Sequence, residues 1–169
     1  MREDEGTAAS TEGRAVAPAS SSGLSGIVIG AFEPEEAEAC AGVFERAWNA
    51  GHPYAPRVIG RPEFLVAMRD RSVAVARSEG GPIVGFTGVH RRGRFIHHLY
   101  VDPSWSGRGI GRALLAHALA LAGGHATLKC QVRNQRALRF YERAGWVPME
   151  QGSAEGEVWI RLRSPAPSP

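Results

Sequence analysis

The sequence holds only two cysteines, Cys40 and Cys130, among 169 residues. They stand far apart, which argues against a disulfide framework and suits a reducing compartment. No apolar run is long enough to span a bilayer. Neither Cys-x-x-Cys nor His-Glu-x-x-His occurs, so no zinc site is expected. An excess of charge of one sign is lacking as well. A net charge of +3 is too small to argue for nucleic acid, though it suits an anionic ligand. The first residues, Met1-Arg2-Glu3-Asp4-Glu5, are acidic and lack the apolar stretch of a secretory signal. A cytoplasmic protein without membrane or nucleic-acid partners is expected. Its length fits one domain and buries a core without disulfides.

What is present is unevenly spread. Residues 1–25 are rich in Ala, Ser, Gly and Glu and read as a disordered tail. Ser164 to Pro169 reads as a second tail, because its prolines cannot join a sheet or helix. Between them, residues 26–163 alternate between two periods. Ile27 to Ile29, Ser72 to Ala76, Ile83 to His90, Phe95 to Val101, Thr127 to Val132 and Glu157 to Arg163 read as strands. Pro34 to Asn49 and Pro62 to Arg69 read as helices, and a third begins beyond Gly111. Antiparallel hairpins followed by one strand–helix–strand crossover give a mixed α/β sheet with helices on its faces.

Gly107-Arg108-Gly109-Ile110-Gly111 lies between the strand ending at Val101 and the apolar helical run from Arg112. Glycines let a phosphate approach backbone N–H groups, and a helix N-terminus adds free donors and a positive dipole end. A P-loop would need Lys after the glycines, and none follows. A dinucleotide site would need Gly-x-Gly-x-x-Gly and a later acid, and neither is found.

Val101-Asp102-Pro103-x-x-x-Gly107-x-Gly109-Ile110-Gly111-x-x-Leu114-Leu115 resembles the acetyl-CoA pyrophosphate loop of the GNAT N-acetyltransferases. Asn134-Gln135-Arg136-Ala137-Leu138-Arg139-Phe140-Tyr141-Glu142-Arg143-Ala144-Gly145-Trp146 resembles the same family's second motif, with Trp as the last aromatic. The resemblance implies a GNAT-like, mostly antiparallel sheet with splayed parallel central strands and helices on both faces. It also implies an acyltransferase that moves an acetyl group from acetyl-CoA to a primary amine of a small molecule, peptide or protein. One departure stands out: the family usually has Arg or Gln where this chain has Ser106. The backbone donors remain, and Arg108 or Arg112 supplies charge. A non-catalytic acyl-CoA-binding module is the alternative that this departure leaves open. Family members are often dimers, and nothing in the sequence decides the point.

Acetyl transfer needs a neutral amine and a protonated leaving thiolate, hence a base and an acid. The resemblance makes Tyr141 the acid and puts Asn134 on the pantetheine arm. It has backbone groups of Leu99 and Val101 bond the pantetheine amides like an added strand. Both Asn134 and Tyr141 face one side of a helix, seven residues apart. The base is open. Strand alternation puts His97 with Phe95, Leu99 and Val101, and His98 with Ile96 and Tyr100. The face of His97 is where the family's bases recur, and the arylalkylamine N-acetyltransferases place a histidine there. A half-buried structural histidine and a water chain without a single base stand beside that reading. Cys40 and Cys130 read as buried structural thiols rather than nucleophiles. His52 and Tyr54, in the loop after the first helix, are candidates for the acceptor pocket. The cluster Arg91-Arg92-Gly93-Arg94 reads as a solvated turn.

Overall fold

A computed structural model describes residues 24–166. The expected tails therefore lie mostly outside the described residues. Seven strands form one sheet: β1 (Ile27–Ala31), β2 (Ser72–Ser78), β3 (Ile83–His90), β4 (Phe95–Val101), β5 (Thr127–Gln131), β6 (Val147–Ala154) and β7 (Glu157–Arg163). Their order is β1-β2-β3-β4-β5-β7-β6. Every pairing is antiparallel except β4 with β5. That parallel pair is short: only Phe95 with Thr127 and Ile96 with Leu128 are in register, after which the strands part.

Among the described residues four helices cover the sheet: α1 (Ala37–Gly51), α2 (Arg61–Ala67), α3 (Ile110–Leu121) and α4 (Gln135–Arg143). Pro34 opens a separate 3-10 turn, Pro34–Glu36, so the α-helix starts later than its proline suggests. On one face, Cys40, Val43 and Phe44 of α1 and Phe64 of α2 pack against Val75 and Phe86. On the other, Ile110 and Leu114 of α3 meet Ala76 and Val84. Leu115 and Tyr141 meet Ile96 and Leu128 there. Gly85 sets the depth of α3: a Cβ at this position would lie 2.9 Å from Leu114 Cδ1 and from the Tyr100 carbonyl. Among the described residues no helix is long and apolar enough to cross a membrane.

Strand β6 had no signal of its own. Its residues are almost all exposed, so no apolar alternation marks it. It pairs with β7 across Glu155 and Gly156, which both have positive φ, 52° and 80°. That is a two-residue hairpin turn.

Packed residues are also found past both expected tail boundaries. Leu24 packs on the α3 side. Ser164 is buried; its N–H donates to the Ala126 carbonyl at 2.9 Å, and its Oγ accepts from the Ala126 N–H at 3.1 Å. Ser164→Ala strands a buried N–H. Stability should fall by about 1–3 kcal/mol, visible as a lower urea midpoint at unchanged slope.

Candidate functional site

A cavity of about 640 Å³ lies beside the second half of β4, beyond the short stretch that pairs with β5. The end of α1, the second half of β4, the glycine loop and one side of α4 line it. Every expected cofactor residue except Arg108 is on this wall: Leu99, Val101, Gly107, Gly109, Ile110, Gly111, Arg112 and Asn134, together with Tyr141. The guanidinium of Arg108 lies over the ring of Trp105, itself a lining residue, at 4.5 Å.

The loop is shaped by its glycines. Gly107 and Gly109 have φ of 79° and 82°, and Gly109 caps α3 in the left-handed region. A Cβ at Gly111 would lie 3.3 Å from the Phe140 ring. The first backbone donor of the helix with a partner is Ala113, to Gly109. The N–H groups of residues 107–112 have no hydrogen-bond partner among the described residues. Ser106 lines the cavity, but its own N–H is used by the Pro103 carbonyl at 3.2 Å.

Charge follows the same geometry. Arg112, Arg136, Arg139 and Arg143 line the cavity, and no acidic side chain among the described residues does. The three arginines of α4 recur at helical spacing beside Tyr141. Sequence reading missed them as site residues, although their three- and four-residue spacing was visible. A run of free donors under four guanidinium groups fits a phosphorylated ligand.

Asp102 braces the loop. Its carboxylate accepts from Arg46 Nε at 2.7 Å and from the Ser104 N–H and Oγ at 3.0 and 2.6 Å. Burial opposes its ionisation, but the bonds from Ser104 and Arg46 outweigh this and hold its pKa below the usual value. The stabilisation is therefore full above the ordinary carboxylate range and is lost as pH falls through the lowered pKa. Since Arg46 is half exposed, Asp102→Asn should cost only on the order of 1 kcal/mol. Urea unfolding across pH checks this: the difference between the proteins should vanish in strong acid.

Asn134 caps α4, its Oδ1 accepting from the Ala137 N–H at 3.1 Å, while its amide faces Gly51 of α1. Tyr141 is buried against Phe140 and Trp146, with ring centroids at 5.1 and 5.8 Å. Its hydroxyl has no protein partner among the described residues, nor is it among the enclosed unpartnered atoms, so it meets the cavity. Burial raises its pKa above the usual tyrosine value.

The histidine pair differs from the expected alternation. Val89 pairs with Ile96 and Gly88 with His98, which leaves His97 as the extra residue of a β-bulge. The bulge reverses the parity: Ile96 joins Leu99 against α3, while His98 and Tyr100 face the Phe86 side. His97 is exposed, 4.5 Å from the Phe95 ring, with Arg71 donating toward its Nδ1 at 3.4 Å. It does not line the cavity. Burial, then the charge of Arg71, pushes its pKa down to about 4. Strand parity thus gave the wrong face for this residue.

The loop after α1 fared differently. His52 is buried, lines the cavity and stacks on Trp48 at 3.9 Å and 14°. Tyr54 spans to the far strand, donating to Gln131 Oε1 at 2.8 Å under the Arg133 guanidinium. Neither cysteine lines the cavity, and burial pushes Cys40 up to about 12 and Cys130 up to about 11. Among the described residues no group of three His, Cys, Asp or Glu is placed to hold a metal ion.

The family described as Acetyltransferase (GNAT) domain matches residues 69–148. N-alpha-acetyltransferase RimI of Mycobacterium tuberculosis is 35% identical over 127 residues, spanning 71% of this chain and 78% of that protein. Peptidyl-lysine N-acetyltransferase YjaB of Salmonella typhimurium is 31% identical over 118 residues, spanning 66% and 77%. The solution structure of apo YjaB from Escherichia coli superposes with a TM-score of 0.68 at 25% identity, covering 83% of this chain and 98% of that one.

Proposed function

The chain belongs to the GNAT acetyltransferase family and moves an acetyl group from acetyl-CoA to an amine, and from that premise we propose that its acceptor is a protein or peptide amine, attacked directly in a ternary complex. The observation that carries the site assignment is the run of unpartnered N–H groups at 107–112 facing a cavity with four arginines and no acid. These groups hold the phosphates. Leu99 and Val101 offer strand backbone to the pantetheine arm, and Asn134 fixes the arm from the α4 side. Tyr141 gives its proton to the departing sulfur. Ser106 adds no guanidinium, and Arg112 with the α4 arginines supplies the charge in its place.

Direct attack is supported by the cysteines, whose raised pKa values and absence from the cavity lining suit no acetyl-thiol intermediate. A protein or peptide acceptor is supported by the two relatives, named for protein N-termini and for peptidyl lysine. We place the reaction in the cytoplasm, where two free thiols persist.

The test is thiol release from acetyl-CoA with three acceptors: a short peptide with a free α-amine, an N-blocked peptide containing one lysine, and a small polyamine. Turnover with either peptide and not with the polyamine is expected. Turnover with the polyamine alone would overturn the acceptor class.

A further inference from the structure

We propose that His52 is the general base of this site, its Nε2 taking the proton of the incoming ammonium. The inference rests on the transfer reaction proposed above and adds the group which that reading left unassigned.

Attack needs a neutral amine, and a proton acceptor must stand within reach of it. No carboxylate among the described residues lines the cavity. His97 sits on the bulge outside it, and His98 does not line it. Tyr100 and Tyr141 do, but both are phenols that burial keeps protonated. His52 is the one imidazole on this wall among the described residues.

The geometry also fixes which nitrogen is free. The Trp48 carbonyl accepts from the His52 backbone N–H at 2.7 Å and lies 3.1 Å from Nδ1. A carbonyl only accepts, so Nδ1 carries the proton and Nε2 carries the lone pair. Nε2 has no partner among the described residues and is not among the enclosed unpartnered atoms. It therefore opens on the space that His52 borders, which is the cavity. The stack on Trp48 and the edge contact with Tyr54 at 5.8 Å hold the ring in that orientation. Trp48 is itself anchored, its Nε1 donating to the Ala55 carbonyl at 2.7 Å.

The surroundings favour a neutral ring. Burial lowers the His52 pKa, the Trp48 carbonyl opposes this, Arg57 lowers it further and Glu157 opposes. Arg57 lies over the far side of Trp48 at 4.3 Å, and Arg133 lies over Tyr54 at 3.7 Å. The phenol of Tyr54 is itself raised above its usual value. A histidine with a lowered pKa is a free base at neutral pH.

The step balances without a further reactant. The R–NH3⁺ acceptor gives one proton to Nε2. The freed nitrogen pair forms the C–N bond at the thioester carbonyl, and the C–S bond breaks. The sulfur leaves with the Tyr141 proton, the amide nitrogen loses its second proton to refill Tyr141, and His52 returns its proton to solvent.

The experiment measures kcat against pH with acetyl-CoA and a short α-amino peptide, for the wild type, His52→Ala and His52→Asn. The asparagine amide can keep the bond to the Trp48 carbonyl but accepts no proton, so it controls for loss of structure. Both variants should lose about 10²-fold in kcat at neutral pH. Both should lose the acid limb of the profile, with the dissociation constant of CoA by calorimetry unchanged. Added imidazole should restore part of the rate in His52→Ala. Wild-type kcat and an unchanged acid limb in His52→Asn overturns the inference while leaving acetyl transfer intact. No thiol release by the wild type with any of the three acceptors overturns the proposed acceptor and mechanism, and this inference with them.

Discussion

Tyr141→Phe should lower kcat by about 10²- to 10³-fold while the dissociation constant of CoA stays within about a factor of two. The packing around Tyr141 makes this a clean substitution. The Tyr141 ring is buried beside Phe140 and Trp146, and Phe keeps that ring in place. The lost hydroxyl has no protein hydrogen bond among the described residues, so no partner is stranded. What disappears is a donor facing the cavity. Because burial raises its pKa, the phenol is protonated throughout the neutral range. The ratio of wild-type to variant kcat should therefore be flat from about pH 6 to 9, whereas a group titrating in that window would bend it. A ratio near one at every pH would remove Tyr141 from the mechanism. His97→Ala is the companion measurement. Its exposed ring stands outside the cavity with a pKa near 4, so the neutral-pH rate and the acid limb should both survive.

These two residues also show what the sequence made readable. Gly107 to Gly111, Asn134 and Tyr141 were legible because their chemistry is local: a turn that needs glycine, a cap, and a helix of known rise. The mixed sheet followed from hairpin signals and one crossover, but not its order, in which β7 lies between β5 and β6. His97 was misread because a β-bulge leaves no trace in residue type, and a single extra residue reverses every parity argument beyond it. Strand β6 was missed because its exposed face has no alternation. His52 was legible only as a candidate for the acceptor pocket, with no part in the chemistry. Its setting depends on Trp48 of α1 and on Tyr54, which reaches across to Gln131 of β5, and no local pattern encodes that meeting.

Gly109→Val should weaken CoA binding by about 10²- to 10⁴-fold. Gly109 sits at φ 82°, where a β-branched L-residue is a true outlier. Holding an ordinary side chain there costs roughly 1–2 kcal/mol, more for valine. A Cβ would also lie 3.2 Å from Leu24 Cδ2. The cheaper response is for the backbone to return to negative φ, which turns the N–H groups of residues 109–111 out of line. Bonds from N–H to a charged group contribute about 1.5–3 kcal/mol each. Losing two gives about 3–6 kcal/mol, and each 1.4 kcal/mol is tenfold in affinity. The fold should persist, because Ile110, Leu114 and Leu115 anchor α3 through the core rather than through the loop. Calorimetry with CoA reads the loss directly. Acetylpantetheine, which lacks the pyrophosphate, separates the causes: wild type and variant should use it equally well. Equal loss with both donors would mean that the cavity itself had collapsed. Unchanged CoA affinity would mean that the backbone donors at 107–112 do not hold the phosphates, and that the arginines of α4 carry them alone.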